Sequence, residues 1–167
     1  MRSLRVRVNA LDLALYRGVR RFARTPHRVR WVRSYSRLGE HGAVWLATGA
    51  AGVAFDAGHR RRWARATSCI GAAYMLSSSI KLAVGRRRPV VEDLPHLMAT
   101  PTGLSFPSSH ATSSFAAARA FGHLLPSPLL YAAAFGMGLS RLYLGVHYPS
   151  DVAAGAALGT VLGSLGR

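Results

Sequence analysis

Three short runs carry side chains that can handle a phosphate group. The first is Lys81 to Pro89, where Lys81 and Arg88 stand seven positions apart and a proline follows. Seven residues are two helical turns, so the two cations share a face of a helix that Pro89 should end at Arg88. Two cations beside a loop suit a phosphate dianion. A basic cluster flanking a membrane, joined by Arg86 and Arg87, explains the same run equally well. The second run is Phe106-Pro107-Ser108-Ser109-His110, ahead of an alanine-rich stretch. It reads as a helix start, where free N–H groups and the positive dipole end attract anions. Ser108 and Ser109 add hydroxyl donors and His110 can exchange a proton; taken alone, a plain serine cap is the competing reading. The third run is Ser140-Arg141 to Asp151. His147 and Asp151 are four apart across a helix start at Pro149. That spacing can set the carboxylate against one ring nitrogen and leave the other as a nucleophile, with Arg141 on a phosphate oxygen. A structural hydrogen bond is the alternative for an isolated His-x3-Asp.

The histidines and the aspartate have spacing that would permit a metal. Lys81, Arg88 and Arg141 would repel a divalent ion at the same place, and few carboxylates are present to offset them. A phosphate needs cations and no metal, so neither a metal nor another cofactor is expected.

The elements that must bring these runs together are apolar helices. Half of the 167 residues are hydrophobic, and the sequence supports one domain with a real core. Five helices are expected, at about 42–58, 64–85, 108–125, 128–146 and 149–165, with no series of strands and no long repeat. The fold class is therefore all-α, a polytopic membrane bundle. If the helices alternate across a bilayer, the first run ends the second helix, the second run begins the third, and the third run joins the fourth to the fifth. All three then fall on one side. Several apolar runs are shorter than the ~20 residues of a normal span, so soluble packing is the alternative. Gly155, Gly159 and Gly163 form a ridge suited to close helix packing in lipid. Trp31, Trp45 and Trp63 fall near the expected boundaries, where indoles favour the interface.

Charge sets the remaining expectations. The formal net charge is +16, with only six acidic residues and a single lysine, Lys81. Eleven arginines lie between Arg2 and Arg37, and others cluster at Arg60–Arg62 and Arg65 and at Arg86–Arg88. Basic segments separated by apolar ones point to membrane flanks rather than to a nucleic-acid surface. Residues 1–40 form a basic amphipathic segment. Within it Leu11, Leu15, Val19 and Phe22 recur at helical spacing, as in an interfacial helix on anionic headgroups, and Thr25-Pro26 should end it. Residues 41–167 form the membrane-embedded domain. Arginines break the apolar stretches near the N-terminus, so no secretory leader is expected there. Cys69 alone can form no internal disulfide. Eleven arginines on the site's side against four on the other favour a cytoplasmic site. Arg119 and Asp56 fall toward the far side, where they can pair, or Arg119 can snorkel to the headgroups.

The ordered set Lys-x6-Arg-Pro, Pro-Ser-x-His and Ser-Arg-x5-His-x3-Asp resembles the signature of the type 2 phosphatidic acid phosphatase superfamily. The resemblance spans residues 81–151. Each piece is weak and the ordered set is strong; Ser109 replaces the usual glycine of the second piece. The resemblance implies that His147 attacks phosphorus to give a phosphohistidine. Asp151 orients it, and His110 protonates the leaving alkoxide and then activates water. Lys81, Arg88, Ser108, Ser109 and Arg141 hold the phosphoryl oxygens. The substrate implied is a lipid phosphate. The size and arginine content resemble small actinobacterial members, some of which act on polyprenyl-linked phosphates such as decaprenylphosphoryl-5-phosphoribose. Phosphatidate, a polyprenyl pyrophosphate, or a small soluble ester are the alternatives, as is a non-catalytic phosphate-binding membrane protein.

Overall fold

The arrangement is dictated by how closely two helices can approach. A computed structural model describes residues 2–21 and 25–167, with side chains from Ala10 onward in the first helix. Phe22 and Arg24, part of the expected amphipathic segment, lie outside the described residues. Among those described, seven α-helices follow one another: α1 (Arg2–Arg20), α2 (Pro26–Leu38), α3 (Ala43–Phe55), α4 (Arg60–Val84), α5 (Ser109–Phe121), α6 (Ser127–Tyr143) and α7 (Pro149–Ser164). The last five occupy the places expected from the sequence. Among the described residues there is one isolated β-bridge, Arg87 with Leu104, and no strand.

Helix α5 is the central post, packed against α4, α6 and α7 and buried along most of its length. The glycine ridge of α7 makes this possible. A Cβ built on Gly155 would stand 2.6 Å from the carbonyl oxygen of Ser108, and one on Gly163 2.5 Å from that of Ala116. At Gly159 the intrusion on the Thr112 carbonyl would be closer still. Only glycine lets the two backbones meet at that distance. The inner surface is small and partly polar: Thr112, Ser113, Ser114, Ala116 and Ala117 are buried.

Trp45, Trp63, Ile70 and Phe121 fill the core around this surface, while other large apolar groups point outward. Phe55 is 90% exposed, Leu82 74% and Leu129 70%, on α3, α4 and α6. Among the described residues no helix is both long and apolar enough to cross a membrane. α4 has the length but opens with Arg60, Arg61 and Arg62, and α6 and α7 are 17 and 16 residues long.

The structure corrects several expectations. Thr25-Pro26 begins a helix: Thr25 Oγ1 accepts from the Arg28 amide at 3.3 Å, and Pro26 takes the first helical position, whereas the first helix already ends at Arg20. Trp45 and Trp63 are not interfacial; they are 6% and 5% exposed in the core, where Trp45 Nε1 donates to Ser114 Oγ at 2.9 Å. Asp56 accepts from Trp63 Nε1 and His59 rather than pairing with Arg119. Finally, α4 stops at Val84, because Gly85 adopts φ +65° as a left-handed cap. Arg88 therefore lies beyond the helix and shares no helical face with Lys81.

Candidate functional site

Two connections at one end of the bundle, α4 to α5 and α6 to α7, build the site. After Gly85 the backbone runs extended through Arg86–Arg88 and is clasped by the segment that leads into α5. Arg88 N donates to the Gly103 carbonyl at 3.1 Å, and Ser105 N donates to the Arg86 carbonyl at 2.7 Å. These bonds fix Arg88 next to the start of α5. Between α6 and α7 the chain turns at Gly145, φ +78°, where a side chain would strike Tyr16 and Arg20. His147 follows that turn and is 1% exposed. Helix α7 then starts at Pro149, and the Ser108 amide donates to the Asp151 carbonyl at 3.0 Å, tying the start of α5 to the first turn of α7.

These contacts bring together most of the residues singled out in the sequence. A cavity of about 250 Å³ is lined by Lys81, Arg88, Ser109, His110, Arg141 and His147. Glu40, His41, Tyr74 and Leu82 also line it. The Arg88 guanidinium donates to the carbonyls of Thr102 (2.9 Å) and Val146 (2.6 Å), and its NH1 lies 3.1 Å from His147 Nε2. Since arginine only donates, Nε2 must be the unprotonated nitrogen, which leaves the proton on Nδ1. Arg141 donates to Ser36 Oγ at 2.6 Å, and its buried Nε–H has no protein partner among the described residues. A buried donor left in that state is costly unless a ligand satisfies it.

Ser108 and Asp151 are not among the cavity-lining residues. The Ser108 hydroxyl caps its own helix by accepting from the Ala111 amide at 3.5 Å. Asp151 lies beneath His147, fully buried, with Oδ2 3.7 Å from Nδ1. That separation is too long for a hydrogen bond. Ser105 fills the gap: its Oγ is 3.4 Å from His147 Nδ1 and donates to Asp151 Oδ2. The Tyr148 amide gives Oδ2 a second donor at 2.8 Å, and Arg86 NH1 reaches Oδ1 at 2.8 Å.

Sequence reasoning passes over three residues. Ser105 lies just before the second run and differs in no way from other serines of the chain. Arg86 reads as part of a basic cluster, although it forms ion pairs with Asp12 and Asp151. Asp12 carries the one available signal, as an acid inside an arginine-rich amphipathic helix.

Electrostatics follows from burial. Burial is the main force on His147 and outweighs the opposing influence of nearby Asp151; the Arg88 and Arg141 charges add to the effect of burial, and its pKa falls to about 3. The imidazole is therefore neutral at physiological pH, and its Nε2 lone pair, which accepts from Arg88 NH1 here, is freed for attack once Arg88 turns to a phosphate oxygen. Burial likewise lowers Arg88 to about 10, against the attraction of Asp151, and leaves it charged. For Arg86 burial alone would lower the pKa, but the hydrogen bond to Asp12 and the charges of Asp151 and Asp12 hold it above the ordinary value. A neutral nucleophilic nitrogen thus faces a set of fixed cations, an arrangement that binds a phosphate dianion and can displace one of its ester oxygens.

The PAP2 superfamily profile matches residues 62–166. Decaprenylphosphoryl-5-phosphoribose phosphatase of Mycobacterium tuberculosis (strain ATCC 25618 / H37Rv) is 41% identical over 133 residues, which cover 80% of this chain and 75% of that protein. The crystal structure of Aquifex aeolicus LpxE superposes with a TM-score of 0.81 at 28% identity, covering 93% of this chain and 94% of that one. A transmembrane PAP2-type phosphatidylglycerolphosphate phosphatase from Bacillus subtilis shares the fold, with a TM-score of 0.76 at 24% identity over 95% of this chain and 84% of that one.

Proposed function

Since the chain belongs to the PAP2 superfamily, we propose that His147 is the nucleophile of a lipid phosphate phosphatase whose substrate is a polyprenyl-linked sugar phosphate. The chain is a membrane phosphatase acting on a lipid phosphate. One observation carries the residue assignment: His147 Nε2 and the Arg88 guanidinium meet at 3.1 Å in a cation-lined cavity that also holds His110. In the first step Nε2 attacks phosphorus, a P–N bond forms and the P–O ester bond breaks. His110 gives its proton to the departing alkoxide. In the second step His110 takes a proton from water, the resulting hydroxide attacks phosphorus, and the P–N bond breaks to release inorganic phosphate. Lys81, Arg88, Arg141 and the α5 start at Ser109 hold the three phosphoryl oxygens while charge shifts between them. Ser108 contributes through the cap it provides to α5. Asp151 steers His147 through Ser105 and stabilises the ring as it gains charge. No cofactor or metal takes part.

The name of the Mycobacterium tuberculosis relative describes a phosphate on the 5-position of a lipid-linked ribose, and its identity to this chain supports the same substrate here. We further propose that α3 to α7 cross the bilayer and that residues 1–40 rest on its anionic surface. The exposed Phe55, Leu82 and Leu129 support a lipid-facing exterior, since such side chains in water favour association. Helices α3 and α5, 13 residues each, measure ~20 Å and α6, 17 residues long, ~25 Å, all short of the ~30 Å hydrocarbon core. Local thinning of the bilayer accommodates such a difference. The excess of arginine at the site's end supports a cytoplasmic orientation.

The test is a phosphate-release screen of detergent-purified protein. It compares phosphatidate, prenyl phosphates, prenyl pyrophosphates and prenyl-linked sugar phosphates, with and without EDTA. Turnover should be highest on the sugar phosphates, insensitive to EDTA, and absent in a folded His147→Ala variant. Normal hydrolysis by that variant refutes the assignment.

A further inference from the structure

Asp12 is a buried acid to which the phosphate chemistry above gives no part. It is 4% exposed and belongs to α1, the arginine-rich first helix. Its Oδ1 accepts from the Ser150 amide at 2.9 Å. Its Oδ2 accepts from the Ser150 hydroxyl at 2.6 Å and from Arg86 NH2 at 2.7 Å. The other arm of the same guanidinium donates to Ser150 Oγ at 2.7 Å and to Asp151 Oδ1 at 2.8 Å. The fork is also stacked on the Tyr148 ring, 4.4 Å from its centre. Ser150 is the second residue of α7, so its amide has no acceptor within the helix. Asp12 therefore caps α7 from another helix, with its negative charge at the positive end of the dipole.

We propose that Asp12 is a positioning residue for the phosphatase reaction, setting through Arg86 and the first turn of α7 where Asp151 sits beneath His147. The inference rests on the roles proposed for His147 and Asp151. The way α1 docks supports it. Asp12, Tyr16 and Arg20 succeed one another at four-residue spacing, and all three are buried against the site's loops. Tyr16 donates to the Gly145 carbonyl, in the turn that carries His147, at 3.2 Å, and Arg20 to the carbonyl of Tyr143, the last residue of α6 before that turn, at 2.7 Å. Leu11 and Leu15, by contrast, are 60% and 49% exposed. The helix turns its polar face to the protein and its leucines away from it. Directional hydrogen bonds, rather than apolar burial, fix its register on the site, and Asp12 makes three of them.

Asp12→Asn tests this. Asparagine keeps an oxygen for the Ser150 amide but loses the charge that fixes Arg86. We expect kcat to fall ~10- to 100-fold with KM changed less than about threefold. The loss should be equal on a prenyl-linked sugar phosphate and on soluble p-nitrophenyl phosphate, and should persist at assay temperatures well below the variant's Tm, which the lost ion pair and cap will lower. Combined with Arg86→Gln, Asp12→Asn should add nothing to the loss from Arg86→Gln alone, because both cut one chain of contacts. Wild-type kcat in Asp12→Asn, multiplying effects in the double variant, or a loss confined to lipid substrates each overturns the proposal; the last would make α1 a membrane-engagement device. If Asp12→Asn does not fold, Ser150→Ala takes its place, with a smaller fall in kcat expected; wild-type kcat there overturns the proposal equally. His147→Ala is run in parallel. Activity in that variant would sink the underlying mechanism, whereas an inactive His147→Ala beside a fully active Asp12→Asn would sink only the role of Asp12.

Discussion

Substituting alanine for Gly155 should cost activity far more than stability. The added Cβ would stand 2.6 Å from the Ser108 carbonyl oxygen, and relief to an ordinary 3.4 Å contact requires α5 and α7 to part by ~0.8 Å at that level. Ser108 cannot yield independently, because its amide is bonded to the Asp151 carbonyl and its hydroxyl caps α5. The displacement is therefore passed to Ser109 and His110 on one side and to Asp151 on the other. Overpacking of this kind costs ~1–3 kcal/mol, which a folded bundle can tolerate. A shift approaching 1 Å at reacting groups can cost ~100-fold in rate. Gly163→Ala supplies the internal control: it meets the Ala116 carbonyl at 2.5 Å, but eight residues along α7, ~12 Å from the site's end. Its stability cost should match that of Gly155→Ala while its kcat loss stays below about fivefold. The assay pairs steady-state phosphate release with thermal unfolding in the same detergent. Equal kcat losses in the two variants, or wild-type kcat in Gly155→Ala, would refute the idea that α5–α7 spacing sets the catalytic geometry.

Other outcomes follow from the same structure. Ser105→Ala removes the hydroxyl between His147 Nδ1 and Asp151, so kcat should fall ~10-fold at similar KM, with ~1 kcal/mol of stability lost; steady-state kinetics and thermal unfolding check both. Burial holds His147 near pKa 3 in the folded protein against 6.5 when exposed, so its contribution to stability is complete above about pH 6.5 and is lost progressively as pH falls toward 3. Tm should decline below pH 6.5, and less steeply in His147→Gln; identical slopes would show that this ring is not the group responsible. With Cys69 replaced by serine, a cysteine at Glu92, in the loop beside the site, should react with an impermeant thiol reagent only in inside-out vesicles. Labelling from the outer face alone would reverse the proposed orientation.

The five apolar helices and the single end at which the reactive runs converge were legible in the sequence, because both depend on local quantities. Hydropathy and proline or glycine punctuation mark where a helix can run, and their order fixes which ends lie together. Lys81, Arg88, Ser109, His110, Arg141 and His147 line one cavity for that reason. The glycine ridge of α7 was legible too, since glycines recurring every four residues on one helix face have few uses other than close packing. Tertiary structure decided what no spacing rule could. Arg88 reaches the cavity on extended backbone because Gly85 ends α4 early, so its apparent helical register with Lys81 had no meaning. His147 and Asp151, four apart, stop short of a hydrogen bond, and a serine 42 residues upstream of His147 fills the gap. Asp12 reaches Arg86 and Ser150 across more than 70 residues of chain. Hydrogen bonds of that kind depend on where whole helices dock, and docking is a property of the assembled surfaces rather than of any one stretch of sequence.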